Sequence, residues 1–489
     1  MLVETEKING VGLIVIDNPP VNALSSEVAN GILTAFEELR TDDEVRSILV
    51  TAAGRTFVAG ADVRQFQQMI EAGDVENGAG LYELTNRLEQ SEKPVVCALF
   101  GTTLGGGLEL AMACHYRIAS KGTRLGQPEV KLGLIPGAGG TQRLPRLCGL
   151  VKAAEMCGFG DPVTAEEAKE LGIIDELTET DLKEAAIEYA LKVSNEGPRP
   201  TCDRDEQLSF GADEKDQIND IRNRTVEKYQ GAMAGFHAVD AVEKAGELSF
   251  EDGLAIEQEL FVKVLSSDEA KNLIYLFFAE REAAKIPEIK TQEDFRQANA
   301  IGFPGLFSDD VGLLEALIRA KVQLKMVDRE RLADPEVDFL FIREIPEVEK
   351  AKSSDDGVMP IVVDTSENFY PHKIAELGFD PANIIGLRFW GGKSCFAEIG
   401  ISDFTSPYAI KSLIQLLKRL RCSFVVERPS PFYASTRIRE HRFDDSDLKI
   451  EVWKLLQEKN IERASDVDLI QVHCFGQPRH KSTIGLGAS

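Results

Sequence analysis

No apolar run in this 489-residue chain approaches the length needed to cross a bilayer, and the opening stretch MLVETEKINGVGLIVID lacks a basic region followed by a long apolar segment and a small-residue cleavage site. From these absences a place in the cytosol or an organelle matrix is expected, with no membrane attachment; the ending GLGAS is not a tripeptide address of the SKL kind. Positive charge is scarce. Lys and Arg number 55 against 81 Asp and Glu, a formal net charge of -26, which argues against nucleic-acid binding and obliges any anionic ligand to find local donors. The eight cysteines (97, 114, 148, 157, 202, 395, 422 and 474) include no CxxC and no Cys/His cluster. Neither a metal site nor a disulfide framework is therefore expected, only reduced, mostly buried thiols. Internal repeats and low-complexity tracts are missing as well.

What is present is ordinary globular material, 43% hydrophobic and 28% charged, in a chain too long for one core. Short β-branched runs at 11–17 and 47–51 flank a segment of helical apolar spacing at 26–40, and the rhythm returns with PVVCALFG from Pro94, LELAMAC from Leu108 and YRIAS from Tyr116. This predicts an α/β first domain over residues 1–193. The polar stretch SNEGPRPTCDRDEQ from Ser194 opens a helical region, 194–290, expected to pack on it. There Leu254, Ile256, Leu260, Phe261, Val264 and Leu265 read as a broad apolar face of core helices. A second α/β pattern, AIGFPG, VGLLEALIRA, VQLKMVD, VDFLFI, PIVVDT and NIIGLRFW, occupies 291–405, and a mainly helical region with one strand candidate, CSFVVE from Cys422, fills 406–489.

Three stretches of the first domain carry chemistry: RTFVAGADV from Arg55, LGGGLELAMACHYRIA from Leu104 and LGQPEVKLGLIPGAGGTQRLPR from Leu125. Gly105, Gly106 and Gly107 precede a helical run, so backbone N–H groups at a helix N-terminus would face a ligand with no side chain in the way, which suits an anion or a polarised carbonyl. A carbonyl oxygen gaining negative charge needs two such donors, each worth roughly 3 to 4 kcal/mol. The second candidate is the Ala61 N–H in the AGAD turn. Glu109 lies about one helical turn past Gly106, and Glu129 follows twenty residues later in a PEV segment beyond the intervening strand. Two carboxylates can thus converge. Adding water across a double bond conjugated to a thioester needs a base to activate water at Cβ and an acid to protonate Cα, and paired carboxylates supply both if their environments split their pKa values. Alone, each feature has a plainer reading: a tight turn, a solvated glutamate, a β-turn.

Together, NPPVNAL from Asn18, FVAGAD from Phe57, KPVVCALFGTTLGGGLELAMACHYRIA from Lys93 and GQPEVKLGLIPGAGGTQRLPR from Gly126 resemble the enoyl-CoA hydratase/isomerase, or crotonase, superfamily over roughly residues 1–190. The resemblance implies a ClpP/crotonase-like fold and an oxyanion hole from the amides of Ala61 and Gly106. It further implies that Glu109 deprotonates water and that Glu129 delivers a proton to Cα of a trans-2-enoyl-CoA thioester. No cofactor or metal is called for. Having both glutamates favours hydration; a Δ3,Δ2-enoyl-CoA isomerase, another CoA-thioester enzyme or a non-catalytic acyl-CoA-binding scaffold are the alternatives. In such proteins the CoA arm passes segments matching Asn22, Ala23 and Leu24 and matching Ala59, Gly60 and Asp62, close to Gly105. Isolated members form trimers or hexamers and fused members can be monomeric, so a monomer is favoured over a homo-oligomer.

The whole layout, with YLFFAEREAAK from Tyr275 in the helical bridge, is similar to the multifunctional enzymes of fatty-acid β-oxidation, whose second part is a Rossmann-like 3-hydroxyacyl-CoA dehydrogenase. Here the comparable residues are altered. A dinucleotide fingerprint needs GxGxxG, and this chain has Gly302, then Pro304 and Phe307 where the second and third glycines belong. Proline removes a donor and phenylalanine blocks close packing. Asp328 stands where a ribose-binding acid would, Glu398 and Ser366 resemble the family's acid and serine, and Thr436 replaces its Asn. Arg388 occupies the slot of the catalytic His in GLRFW, and a guanidinium cannot act as a general base near neutral pH. The expectation is a degenerate Rossmann-like domain followed by a truncated helical region, together a pseudo-dehydrogenase that no longer binds NAD.

Overall fold

The computed structural model describes residues 2–73, 81–208, 211–304, 311–327, 336–342, 361–365, 371–376, 379–391, 395–428, 433–441, 445–475 and 477–481. Two compact units divide at Ile274/Tyr275, inside the expected helical bridge.

The first unit is built on a six-stranded sheet in the order β1 (Val3–Ile8), β2 (Val11–Ile16), β3 (Ser47–Ala52), β4 (Val95–Leu99), β6 (Tyr116–Ser120), β9 (Glu176–Thr178); a second, three-stranded sheet joins β5 (Thr102–Leu104), β7 (Arg124–Gly126) and β8 (Val163–Thr164). Only β1 pairs antiparallel in the larger sheet. Its sequence VETEKI is largely exposed, and the charges discourage further pairing at that edge. The inner strands VGLIVI, SILVTA and VVCAL are buried on both faces, which is why they read as continuous apolar runs rather than alternations. Helix α1 (Ser26–Thr41) starts where the Ser25 side chain accepts the Val28 N–H, and it buries Val28, Ile32, Phe36 and Leu39 at helical spacing, roughly 1.5–3 kcal/mol for each large side chain.

Helices α2 (Val63–Ala72), α3 (Leu81–Glu89), α4 (Gly106–Ala113), α5 (Gly140–Cys148), α6 (Leu150–Phe159), α7 (Ala165–Glu170) and α8 (Leu182–Val193) complete the region expected as the first domain. The compact unit does not stop there. It takes in α9 (Ala212–Lys228), α10 (Ala234–Lys244) and α11 (Phe250–Leu265), and the division falls within α12 (Asp268–Ala283). Among the described residues, no helix is long and apolar enough to cross a membrane.

The second unit holds a seven-stranded sheet in the order β11 (Gln323–Met326), β10 (Ala300–Phe303), β12 (Phe339–Ile342), β13 (Ile361–Asp364), β14 (Ile384–Trp390), β15 (Phe396–Gly400), β16 (Ser423–Glu427), parallel except between β14 and β15. Helices α13 (Val311–Arg319) and α15 (Pro407–Arg419) pack on it; α14 (Pro371–Ala375), α16 (Ala434–His441), α17 (Asp445–Gln457) and α18 (Ala464–Phe475) complete the described helices. Strand β15 was not expected. Its residues FAEIG are all buried, but a central Glu breaks the apolar run that would have announced it. One cysteine expectation is corrected here: Cys395 and Cys422 form a disulfide with Cα atoms 4.6 Å apart, while the other six are free thiols. Parallel pairing of β15 with β16 sets Phe396 opposite Ser423, so the residues just before them lie side by side. A separation of 27 residues carries no sequence signal for this.

Candidate active site

Gly105, Gly106 and Gly107 are glycines for three different reasons. Gly105 has φ 52° and ψ −127°, a conformation open to glycine, and a Cβ there would stand 2.7 Å from Glu129 Oε1. A Cβ on Gly106 would stand 3.4 Å from the Ala61 nitrogen, and one on Gly107 would strike Val58. Gly106 is the first residue of α4, where an amide has no carbonyl four residues back to donate to.

Ala61 is held beside it by a short lacing of two segments. Leu24 N–H donates to the Gly60 carbonyl, Asp62 N–H donates to the Leu24 carbonyl and Ala59 N–H donates to the Val21 carbonyl, at 2.9, 2.9 and 3.1 Å. Asn22 anchors the turn before this lacing: its Oδ1 accepts the Asn18 N–H, and its Nδ2 donates to the carbonyls of Ala53 and Thr56. Asp62 caps α2 and pairs with Arg64. Among the residues expected to flank a CoA arm, the side chains of Asn22 and Asp62 are thus engaged inside the protein. Ala23 supplies the carbonyl that accepts from Asn18 Nδ2.

Glu109 sits in the first turn of α4, 3% exposed. Its Oε1 accepts the N–H of Ala138 at 2.7 Å and of Gly140 at 2.9 Å. Burial raises its pKa, opposed by those amides and by Arg143. Glu129 opens a 3-10 turn, Glu129–Leu132, rather than an open loop. Its Oε2 is buried with no hydrogen-bond partner in the protein. Burial pushes its pKa well above the carboxylate range, and the negative charge of Glu109, then that of Glu257, pushes the same way.

Two neighbours were missed by sequence reasoning. Gln127 is fully buried, its side-chain N and O both lack protein partners, and a Cβ at Gly140 would meet its Nε2 at 2.7 Å and Glu109 Oε1 at 2.8 Å. Glu257 of α11 is fully buried. Its Oε1 accepts the Gly139 N–H at 2.6 Å, and its Oε2 accepts the Thr141 N–H at 2.8 Å and the Thr141 hydroxyl at 2.6 Å. Burial first, then the charge of Glu109, raises its pKa to about 8. A signal did exist: the buried stripe of α11 runs Leu254, Glu257, Phe261, Val264 and Leu265, so a carboxylate occupies an apolar position. Arg143 completes the surroundings, donating to the Ala138 carbonyl at 2.8 Å and pairing with buried Glu89 at 2.8 Å.

In the second unit Gly302 lies on β10, where a Cβ would press on Val327 and Val337, so its smallness serves packing. Pro304 follows that strand; Phe307, Asp328 and Ser366 lie outside the described residues. The Arg388 guanidinium donates to the Thr436 hydroxyl and stands 5.0 Å over the Trp390 ring. Glu398, fully buried, accepts the Trp390 Nε1–H at 3.0 Å, the Ser435 hydroxyl at 2.6 Å and the Ser435 N–H at 2.9 Å. Arg388 and Glu398 face each other across β14 and β15, as the register pairs them.

Residues 6–230 match the family described as enoyl-CoA hydratase/isomerase. Among curated proteins the chain is similar to the peroxisomal bifunctional enzyme of Danio rerio, 38% identical over 330 residues, covering 66% of this chain and 44% of that protein. The human peroxisomal bifunctional enzyme is 35% identical over 329 residues, with 66% and 44% covered. The Arabidopsis thaliana peroxisomal fatty acid beta-oxidation multifunctional protein AIM1 is 34% identical over 335 residues, with 66% and 46% covered. The chain thus spans less than half the length of these relatives. A solved enoyl-CoA hydratase subunit of Geobacillus kaustophilus is 28% identical with a TM-score of 0.35, covering 57% of this chain and 95% of that one.

Proposed function

We propose that this chain, whose residues 6–230 match the enoyl-CoA hydratase/isomerase family, adds water across the double bond of trans-2-enoyl-CoA thioesters. The observation that carries the reading is the unequal treatment of two carboxylates at the N-terminus of α4, that of buried Glu109 and that of half-buried Glu129, whose Oε2 is enclosed. Glu129 has no donor on Oε2 and bears the electrostatic weight of its neighbours, which favours the protonated acid. Glu109 has two amides and nearby Arg143, which favour the anion. An acid and a base therefore coexist at one pH.

The thioester oxygen accepts from the amides of Ala61 and Gly106, which stabilise the enolate as charge moves onto it. Glu109 takes a proton from water as its oxygen bonds to Cβ, and Glu129 gives its proton to Cα. The turnover leaves Glu109 protonated and Glu129 ionised, and a proton passing between them through solvent restores the start. Gln127, with both amide atoms free of protein partners beside Glu109, suits a second hydrogen bond to the water. CoA thioester is substrate and no cofactor takes part.

For the second unit the reading is a dehydrogenase-like module without its base. Arg388 stands in the histidine slot and is occupied with Thr436 and Trp390, while Glu398 is committed to Trp390 and Ser435. Its contribution is support or regulation.

Spectrophotometric loss of enoyl-thioester absorbance across short, medium and long chains, followed by product analysis, tests the main reading. Glu109→Gln and Glu129→Gln are each expected to lower kcat by about 10² to 10⁴ while acyl-CoA still binds. Unchanged rates in both variants remove the mechanism, a moved double bond without water uptake makes the enzyme an isomerase, and binding with no turnover makes it a scaffold.

A further inference from the structure

Glu257 has no part in the chemistry above, yet it shares the N-terminus of α5 with Glu109. Four consecutive amides are divided between two buried carboxylates arriving from different helices. Ala138 and Gly140 donate to Glu109, and Gly139 and Thr141 donate to Glu257. Gly139, the N-cap, has no side chain to satisfy these groups, so the two glutamates stand in for the missing cap. Both Glu257 oxygens are used, by Gly139 on one and Thr141 on the other, so this carboxylate faces the helix end and not the substrate.

We propose that Glu257 is a positioning residue for the hydration reaction: by holding alternate amides of the 138–141 row, it sets how many donors Glu109 keeps and where that carboxylate points. The inference rests on the reading of Glu109 as the base. A buried amide left without an acceptor is costly, and the other carboxylate at this helix end belongs to Glu109. Losing Glu257 therefore turns the row toward Glu109 and gives it additional donors. Those donors favour the Glu109 anion and make it a weaker base. The charged groups around it are Glu129 from the 129–132 turn, Arg143 from α5, paired with Glu89 of α3, and Glu257 from α11.

The test is Glu257→Gln in the full chain, which keeps size but sets an NH2 against the amide row. Expected is a kcat loss on the order of 10²-fold, with KM changed by less than about threefold and the acidic limb of the kcat profile moved to lower pH. A role confined to packing lowers the melting temperature and leaves that limb in place. A second readout needs no turnover: carboxyl 13C NMR of glutamate-labelled protein, with the Glu109 signal identified by its loss in Glu109→Gln. Its titration midpoint should fall by about half a pH unit or more in Glu257→Gln. Thr141→Val, removing only the hydroxyl donor, should move it less and in the same direction as Glu257 loses its hold. An unmoved Glu109 midpoint in whichever variants fold overturns the proposal. Wild-type protein that adds no water defeats the hydratase reading alone and leaves the titration to decide on Glu257.

Discussion

Gly106→Ala separates catalysis from folding. The residue opens α4 without a positive φ, so alanine adopts its backbone unstrained and gains some tenths of a kcal/mol in helix propensity, at most about 1 kcal/mol. The added methyl would stand 2.9 Å from Leu81 Cδ2, the free end of a side chain that can shift slightly. Net stability should therefore fall by no more than about 2 kcal/mol, the overpacking cost offset in part by the propensity gain. The reaction is affected far more. An oxyanion served by both amides must lie about 2.7–3.1 Å from each nitrogen, and the methyl, 3.4 Å from the Ala61 nitrogen, borders that point. Driving the oxygen away from one donor costs about 2.7–4 kcal/mol, a factor of about 10² to 10³ in kcat. The assay pairs enoyl-thioester absorbance with guanidinium unfolding of the same preparation. A folded variant whose kcat stays within about threefold of wild type refutes the placement of the thioester oxygen between residues 61 and 106.

Glu109, Glu129 and Glu257 all have raised pKa values, Glu257 to about 8, so the folded state binds more protons than the unfolded chain above the ordinary carboxyl range. Their contribution to stability is accordingly greatest at the acid end and is lost as pH rises from about 4.5 through the raised values. Urea unfolding at several pH values should show a shallower fall for Glu129→Gln than for wild type, and equal slopes contradict the assignment. In the second unit, calorimetric titration with NAD at millimolar concentration should show no saturable binding; clear saturation overturns the pseudo-dehydrogenase reading.

The inner strands of the larger first-unit sheet were legible because parallel strands buried on both faces write themselves as apolar runs, whereas β1, β9 and the short strands β5, β7 and β8 were not read. SILVTA and VVCAL needed nothing beyond composition and length. Glu109, Glu129, Ala61 and Gly106 stood out as candidates for another reason: each sits in a local motif where glycine or alanine permits close approach. What stayed hidden were meetings made only by tertiary structure. Cys395 reaches Cys422 through strand register. Glu257 reaches the α5 N-terminus across 118 residues from Gly139. It was hidden by the apolar residues around it, which made the helix look like generic core.

That helix changes where the first domain should end. Phe261 lies one turn beyond Glu257 on the same buried stripe, and a Cβ on Gly137 would meet its ring at 2.6 Å, so α11 both caps and packs the 137–141 segment. A piece ending at residue 193, the expected boundary, lacks both side chains. Two amides then exchange a carboxylate acceptor for water at about 1–3 kcal/mol each, and the absent Phe261 costs about 3–5 kcal/mol more. The sum is comparable to the roughly 5–15 kcal/mol that holds a whole domain folded. A piece ending at residue 274, the limit of the first compact unit, keeps every one of these contacts. The longer piece should therefore unfold cooperatively and hydrate enoyl-CoA, and the shorter should be protease-sensitive and inactive. If residues 1–193 alone fold cooperatively and turn over at the full-chain rate, the carboxylate from α11 is dispensable, and the 138–141 amides must find their acceptors elsewhere.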